Sequence, residues 1–374
     1  SQFVNRTSDG GYSWETISPD LTRSDIDTQG FAGGRITWDN TGVEVYGTVF
    51  AFEESPHEAG VLWAGSDDGL IHISRDDGAN WENVTPQGLP EFSTVNMIDL
   101  SSHGPGRAHV AVYRYRVADT GAYMYRTDDY GQTWTRLETT GLEAGHFVRV
   151  LREDPEREGL LFAGTENGLY VSFNGGDNWQ SLQRNLPITP VTDLLIHQGD
   201  LVVATQGRSF WILDDLSPLR EITTQTIAAD MHLYSPKNAI RSQGVSPSGS
   251  AVYFALAEEP EEVLNLEFMD PQGDVVRVYS TEPNSWDVDA KTAIGRPANW
   301  SPSQLQAAQG LNQMTWDLRE EGPGIIENAV FWGFAGRVPA VPGVYQVRLS
   351  MGDVSQTQSL RLLIDPRIAH EVTI

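Results

Sequence analysis

Five basic side chains lie in predicted loops of the sequence, and their positive charge suits them to binding anions. They are Arg35, Arg114, Arg116, His146 and Arg208. Guanidinium groups hold carboxylate or sulfate groups through paired hydrogen bonds, so this set could bind an acidic glycan or a chain terminus. The alternative is that the arginines pair with neighbouring aspartates and only hold loops together, and the sequence leaves both interpretations open.

Two aromatic residues follow one of these cations in the sequence. Trp38 follows Arg35 in the glycine-rich stretch GFAGGRITWDNTG, and Tyr46 comes shortly after. Because long ordered loops are often functional, we predict ligand-binding roles for Trp38 and Tyr46 as well. No catalytic residue is identified, since the sequence has no Gly-x-Ser-x-Gly elbow, P-loop or His-Glu-x-x-His motif. We predict no cofactor and no metal, because the histidines are scattered and cysteine is absent.

A repeated eight-residue pattern indicates which elements position these residues. It has the form Ser/Thr-x-Asp-x-Gly-x-(Ser/Thr/Asn)-Trp, with asparagine replacing the aspartate in the last copy. The copies are TSDGGYSW at 7–14, SRDDGANW at 74–81, TDDYGQTW at 127–134 and SFNGGDNW at 172–179. Copies separated by roughly 45–70 residues indicate propeller blades or solenoid units.

Short β-branched and aromatic runs between the copies predict four strands in each unit. Before the third copy come VNMIDLS, HVAVYRY and AYMYRT, and WTRL follows it. Such runs, separated by turn residues, are typical of strands, and four-stranded units at this spacing predict a β-propeller. No segment holds a helical period of apolar residues, which excludes a solenoid of helices.

The copies resemble Asp-boxes, and the units resemble the BNR-type blades of sialidases, sortilin-type receptors and large secreted bacterial proteins. The likeness covers roughly residues 1–220 and is carried by TSDGGYSWETISPDLT, NTGVEVYGT, REDPEREGLLFAGTENGLYVSFNGG and GRSFWILDDLSPLR. These runs are similar to bacterial sortilin-type propeller proteins often labelled "glycosyl hydrolase, BNR repeat". The resemblance implies a secreted, periplasmic or cell-surface location in a bacterium, but a fold does not determine a function.

The resemblance implies that the box residues are structural. The glycine permits a tight turn, the aspartate accepts backbone N–H bonds, and the tryptophan packs between blades. Four equivalent copies favour this role, since catalysis needs one unique constellation. The residues assigned to it are Asp9, Trp14, Asp76, Trp81, Asp129, Trp134, Asn174 and Trp179.

The boxes of a propeller share one face, so we expect binding on the opposite face, around the central channel. That face is built from the loops joining second and third strands and from the links between blades. Two such loops are tight turns, at 67–69 and 166–168, whereas the loop 114–121 is longer than a hairpin requires. The five basic residues should converge on this rim.

Sialidase-like cleavage of a glycan on the same rim is the first alternative. The sialidase resemblance implies a carboxylate clamp of three arginines and a tyrosine nucleophile, for which Tyr46 is available. The Arg-Ile-Pro motif of that family is missing, since Gly34-Arg35-Ile36-Thr37 lacks the proline. We predict a binding or interaction protein that recognises a protein segment or an acidic glycan, and if the chain is an enzyme we expect a glycoside hydrolase. A second alternative is an architectural component of a larger surface assembly.

The pattern changes after residue 220. Residues 221–250 are rich in Ser, Thr and Pro and predict a linker, and the alternating strands within 251–367 predict an antiparallel sandwich. The segment PGVY at 342–345 resembles the Ig-like domain of flagellar hook-capping proteins, and 368–374 should begin a truncated C-terminal extension. The predicted fold class is therefore all-β, with a propeller segment of four-stranded Asp-box blades followed by an Ig-like β-sandwich.

Charge and strand number limit the partners. The chain has 374 residues and a formal net charge of −26, which excludes nucleic acid and disfavours anionic membrane surfaces. No apolar run is long enough to span a bilayer, so we predict no membrane insertion. The strands add up to about four and a half blades, fewer than rings commonly use. We therefore expect the remaining blades to come from a longer chain, a companion polypeptide or a second copy.

Overall fold

The computed structural model describes residues 1–30, 45–242, 249–282, 304–321 and 337–370. The regular structure in these ranges is almost entirely β, which confirms the predicted fold class. The chain divides into two compact units, Ser1–Asp214 and Asp215–Ile374, called here the propeller unit and the sandwich unit. In the described ranges, no helix is long and apolar enough to cross a membrane.

Three four-stranded antiparallel sheets follow one another in the propeller unit, as the repeat predicts. Blade 1 consists of β3 (Val49–Glu54), β4 (Leu62–Ser66), β5 (Ile71–Ser74) and β6 (Glu82–Asn83). Blade 2 consists of β7 (Thr94–Leu100), β8 (Ala108–Arg114), β9 (Asp119–Thr127) and β10 (Thr135–Arg136). Blade 3 consists of β11 (Val148–Glu153), β12 (Leu161–Thr165), β13 (Gly168–Ser172) and β14 (Gln180–Ser181).

Two smaller sheets flank these blades in the sequence. A two-stranded sheet, β1 (Asn5–Arg6) and β2 (Glu15–Thr16), comes before blade 1. A three-stranded sheet, blade 4, consists of β15 (Val191–His197), β16 (Asp200–Thr205) and β17 (Phe210–Leu213). Single 3₁₀ turns occur at Ile26–Thr28 and Tyr115–Val117.

Blades 1 and 3 pack closely on the next blade because their second strands, β4 and β12, are buried on both sides and carry a glycine. Strands β4, β12 and β13 are buried at every residue. A Cβ added to Gly65 would lie 2.4 Å from Val95 of the next blade, and one on Gly164 would lie 2.5 Å from Val191. Any larger residue at these two glycines would push neighbouring blades apart, which explains the shared motifs LWAGS and LFAGT.

The sandwich unit consists of two sheets around one core, preceded by the short helices α1 (Ser217–Glu221) and α2 (Thr224–Ile227). The first sheet has the order β18 (Met231–Leu233), β20 (Ser250–Leu256), β23 (Gly310–Trp316). The second has the order β19 (Ala239–Arg241), β25 (Val354–Ile364), β24 (Gly343–Met351), β21 (Leu264–Met269), β22 (Val275–Ser280). Phe254 and Trp316 of the first sheet share a core with Phe268 of the second, which makes the unit a β-sandwich.

Strands β18 and β19 lie inside the segment 221–250 that the sequence presents as a linker. Each is only three residues long, too short to show an alternating pattern. They form strands because each pairs with a longer strand. β18 pairs with β20 in an antiparallel arrangement, and β19 pairs with β25 in a parallel one. The boundary between the compact units accordingly falls at Asp214, six residues before the predicted end of the propeller. The Ig-like classification of the sandwich stays a prediction.

Candidate functional site

The last three box segments follow the third strand of their sheets, and the first follows β1 of the two-stranded sheet. Each closes on itself through hydrogen bonds. In the third copy, the Asp129 carboxylate accepts bonds from the Thr133 amide (2.9 Å), the Thr133 hydroxyl (2.6 Å) and the Thr127 hydroxyl (2.8 Å). The Thr127 hydroxyl also accepts the amide of Gly131 at 2.9 Å. The acidic group is therefore occupied within its own turn.

The other copies repeat this pattern. In the first, hydrogen bonds from the Ser13 hydroxyl and amide lower the pKa of Asp9 to about 2. Donors from Asn80 and Thr133 similarly lower the pKa values of Asp76 and Asp129. In the last copy, Asn174 takes the place of the carboxylate and accepts bonds from the Ser172 hydroxyl (2.9 Å) and the Asn178 amide (3.2 Å). The turn survives the loss of the charge.

Three box tryptophans tie their sheet to the preceding one. Each donates its indole N–H to a main-chain carbonyl of that sheet. The pairs are Trp81 and Ile17 (2.9 Å), Trp134 and Val84 (2.7 Å), and Trp179 and Glu138 (3.0 Å). Trp14 of the first copy is 62% exposed, and no such acceptor faces it in the described residues. The box face, defined by these four segments, thus contains repeated structural contacts.

The loop face lies at the other ends of the same strands, where second and third strands join. The loop after β8 forms the 3₁₀ turn Tyr115–Val117 and then the left-handed residue Ala118, at a φ of 60°. This turn separates the two arginines of YRYR. Arg114 donates from Nε to the Glu91 carbonyl at 3.0 Å and from Nη1 to the Asp119 carboxylate. Arg114 therefore holds its own loop in place.

Arg116 has different surroundings from Arg114. Its guanidinium lies 6.0 Å from the ring centroids of both Tyr113 and Tyr115. Among the described residues, no carboxylate lies within ion-pair distance of it. Burial lowers the pKa of Arg116, but the phenols of Tyr113 and Tyr115 and the more distant Asp67 outweigh burial, so the pKa is raised overall. Arg116 is therefore a permanent cation on the exposed side of the loop.

Aromatic rings surround this cation. Tyr115 stacks on Phe147 with ring centroids 5.2 Å apart, and Tyr113 lies 4.9 Å from Tyr115. Arg149 lies 5.1 Å from the Phe147 ring, and its guanidinium pairs with Glu166 at 2.6 Å. We call Tyr113, Tyr115, Arg116, Phe147 and Arg149 the aromatic–arginine cluster. Tyr115 is 38% exposed, so the cluster presents a ring beside a cation.

Tyr46 lies near this cluster. Burial raises the pKa of the Tyr46 phenol, Asp68 and Asp67 raise it further, and Arg23 and Arg116 act in the opposite direction. The phenol therefore remains protonated, which does not suit the nucleophile that sialidase chemistry requires. Arg116 is therefore near enough to Tyr46 to influence its pKa, and a shared binding role for the two residues stays a prediction.

The remaining predicted residues lie apart from Arg116 or outside the described ranges. His146 contacts the Tyr170 hydroxyl through Nδ1 at 2.9 Å and lies 3.6 Å from Glu143. Arg208 is exposed in the turn before β17. No hydrogen bond, ion pair or ring contact within the described ranges joins either side chain to Arg116. Two predicted residues, Arg35 and Trp38, lie outside the described residues.

Sequence reasoning missed four members of the cluster, namely Tyr113, Tyr115, Phe147 and Arg149. The alternation of tyrosine and arginine in YRYR is a signal for the two tyrosines, because this segment carries two rings beside two cations. Phe147 directly follows the predicted His146 but carried no signal of its own. Arg149 lies on β11, a strand whose other residues predict only packing.

A second charged group joins the first strands of all four blades. Arg152 lies 3.0 Å from Asp99, 3.3 Å from Asp193 and 4.0 Å from Glu53. Burial raises the pKa of Glu53, and Arg152 only partly offsets that effect. In the described part of the chain, no group of three or more His, Asp or Glu is arranged to hold a metal ion.

Sequence comparison relates the chain to glycan-cleaving enzymes. No family model matches it. A xyloglucanase from a Paenibacillus species is 28% identical over 204 residues, covering 47% of this chain and 19% of that enzyme. A probable oligoxyloglucan-reducing end-specific xyloglucanase from Neosartorya fischeri is 26% identical over 117 residues, covering 30% of this chain and 14% of that protein. The chain thus spans less than a fifth of the length of these curated relatives.

Solved structures similar to this chain include two kinds of protein. A GH74 xyloglucanase from Xanthomonas campestris has a TM-score of 0.38 at 14% identity, covering 83% of this chain and 45% of that one. YCF48 bound to a D1 peptide has a TM-score of 0.34 at 16% identity, covering 62% of this chain and 68% of that one. The chain is therefore similar in sequence to parts of xyloglucanases, and the sheets described above establish its β-propeller architecture.

Proposed function

We propose that the propeller unit binds a carboxylate-bearing glycan at the aromatic–arginine cluster. The observation that carries this proposal is the environment of Arg116. Two other arginines of the loop face are paired, Arg114 with Asp119 and Arg149 with Glu166. Arg116 instead lies against aromatic rings and has no carboxylate partner in the described part of the chain.

The composition makes this cation distinctive. The chain carries 51 acidic residues against 25 lysines and arginines, so most of its surface repels anions. A guanidinium held against rings and turned to solvent offers paired hydrogen bonds to a carboxylate. The exposed Tyr115 ring beside it offers a flat apolar surface on which a sugar ring can stack. Together, these two groups fit a uronic acid residue.

The relatives support a glycan ligand, since the two curated relatives described above are xyloglucanases. Xyloglucan is the substrate of those enzymes, and the acidic character of the ligand proposed here rests on Arg116 alone. The two features can be tested separately because one depends on the sugar and the other on the carboxylate.

The test is calorimetric titration of the full chain with an oligogalacturonide and with its carboxyl-reduced counterpart. We expect binding of the acidic form and at least about a tenfold weaker interaction after Arg116→Ala, the loss of one charged hydrogen-bonding group. Arg75→Ala is the matched control, because Arg75 also lies over a tyrosine, 4.2 Å from the Tyr130 ring, but on the box face. Equal binding of the reduced oligosaccharide, or an equal loss in Arg75→Ala, would contradict the proposal. Displacement by an acidic peptide would instead assign the face to protein recognition.

Glycoside hydrolysis is the second candidate, favoured by the sequence match to the xyloglucanases and by Glu53. A raised carboxyl pKa is what a general acid needs, and Glu53 lies with Asp99, Arg152 and Asp193 where four blades meet. The test is release of reducing ends from xyloglucan by the full chain. If the chain is a hydrolase, Glu53→Gln should abolish this release while glycan binding persists. An unmodified chain that releases none has no such activity.

A further inference from the structure

The second, third and fourth boxes each dock on an equivalent residue that follows the last strand of the preceding sheet. A Cβ on Gly131 would lie 2.7 Å from Val84, and one on Gly176 would lie 2.9 Å from Leu137. Val84 and Leu137 each come three residues after the tryptophan of their own box. Gly78 and Ile17 form a third pair, with the added Cβ 2.8 Å from the Ile17 carbonyl oxygen. The position three residues after a box tryptophan is therefore where the next box docks.

Leu182 is the fourth position in this series, three residues after Trp179. Its amide donates to the Leu169 carbonyl at 2.9 Å, just as the amide of Val84 donates to Ile71 at 2.8 Å. The Val84 carbonyl then accepts the indole N–H of Trp134 at 2.7 Å. No donor in the described residues reaches the Leu182 carbonyl.

In the described residues, blade 4 has no box segment, which is the element that covers the equivalent residue elsewhere. It also has no fourth strand there: blades 1 to 3 each have one of two residues, whereas the sheet of blade 4 ends at β17. A groove lies between blades 3 and 4 at this point. Its walls include Leu169, Leu182 and Leu186 on one side and Val203, Trp211 and Ile212 on the other. Ile212 is 58% exposed, so the apolar groove is open.

We propose that this groove receives a tryptophan-led strand from a partner polypeptide. The partner segment has a glycine, then a tryptophan three residues later, then a short strand. Its indole N–H donates to the Leu182 carbonyl, its glycine packs on the Leu182 side chain, and its strand pairs with the free edge of β17. This is strand addition to an open sheet edge, with a side-chain pocket that sets specificity.

The features expected of the partner segment are taken from the segments that cover the equivalent residues Ile17, Val84 and Leu137 in this chain. At three junctions the covering segment is a box whose glycine packs on this position. At two of them its tryptophan donates to the carbonyl of the same residue, and at the third Trp179 donates to Glu138, one residue further on. The requirement for glycine follows from the short distances at Val84 and Leu137, where any side chain would collide. A segment without the tryptophan would leave the Leu182 carbonyl without a donor and the groove unfilled.

The experiment titrates the full chain with a fluorescein-labelled peptide of the sequence TDDYGQTWTRL, residues 127–137 of this chain, and follows fluorescence polarisation. We expect saturable binding below about 1 mM, and at least about tenfold weaker binding when alanine replaces the tryptophan of the peptide. Ile212→Glu in the protein should weaken binding by a similar factor, because it places a charge on the wall of the groove.

Leu195→Glu is the matched control. Leu195 is 56% exposed on β15 of the same blade but is not part of the groove. Both variants change an exposed side chain, and thermal melting checks that each is folded. The proposal is overturned if the peptide does not bind, if the alanine peptide binds equally well, or if Leu195→Glu weakens binding as much as Ile212→Glu.

Discussion

The two faces of the propeller unit use their polar side chains in opposite ways. On the box face, four segments repeat one set of hydrogen bonds, and the acidic or amide group of each is taken up by its own turn. On the loop face, the turns at 67–69 and 166–168 are tight, whereas the longer loop after β8 carries a ring beside an exposed cation. Repetition therefore marks the scaffold here, and departure from the repeat marks the candidate site.

The difference also separates two kinds of arginine contact. Arg114 and Arg116 are two residues apart, yet the first bonds to Glu91 and Asp119 while the second lies over Tyr113 and Tyr115. Of the two alternatives that the sequence left open for the arginines, Arg114 fits the loop-holding one. For Arg116, ligand binding stays a proposal.

The largest effect should come from removing a docked box tryptophan. Trp179 is 3% exposed and donates to the Glu138 carbonyl, so Trp179→Ala should cost about 3–5 kcal/mol of unfolding free energy, as for other buried aromatic residues. Trp14→Ala is the matched control, because Trp14 is 62% exposed, and it should change stability by less than about 0.5 kcal/mol. Urea unfolding followed by far-UV circular dichroism measures both. Equal losses would show that the tryptophan acts within its own turn and not between sheets.

A smaller effect should separate the two arginines of the loop face. Arg114→Ala removes the bonds to Glu91 and Asp119 and should cost about 1–3 kcal/mol. Arg116→Ala breaks no ion pair in the described structure and should stay within about 0.5 kcal/mol in the same urea measurement. If Arg116→Ala were the more destabilising variant, Arg116 would be a structural residue, and the proposed glycan site would lose its main support.

Local patterns predicted the scaffold because its structure is determined locally. The box turn forms from residues within seven positions of one another, so Thr127, Asp129, Gly131 and Thr133 are recognisable from spacing alone. The aromatic–arginine cluster is different, since Phe147 meets Tyr115 across more than thirty positions of chain and no pattern records that contact. Likewise, the 3₁₀ turn that begins directly after Arg114 and contains Arg116 has no glycine or proline from which it could be predicted. Non-local contacts also explain why part of the predicted linker forms strands, since β18 and β19 pair with strands distant in the sequence.

The smallest effect concerns acid, and it tests whether the box carboxylates matter as charges or only as acceptors. Asp129 has a pKa below its ordinary value of 3.8, chiefly because the Thr133 hydroxyl and amide donate to it. A carboxyl group that binds its proton less tightly in the folded state stabilises the fold above its ordinary pKa, and this stabilisation is lost as the pH falls through the lower folded value. Asp129→Asn should therefore lower the free energy of unfolding slightly near pH 7, because the charge-dependent part is removed, and should reduce the further loss below about pH 4.

Asn174→Asp is the reciprocal variant for that experiment. It introduces a carboxylate into a turn that already supplies the Ser172 and Asn178 donors, so it should make the chain more sensitive to acid. Urea midpoints measured at about pH 7 and about pH 3 give both comparisons. Identical acid sensitivity in both variants and the unmodified chain would mean that the turns hold through their acceptors alone. The charge of the box carboxylates would then contribute nothing to stability, whereas the proposed role of the loop face depends on the charge of Arg116.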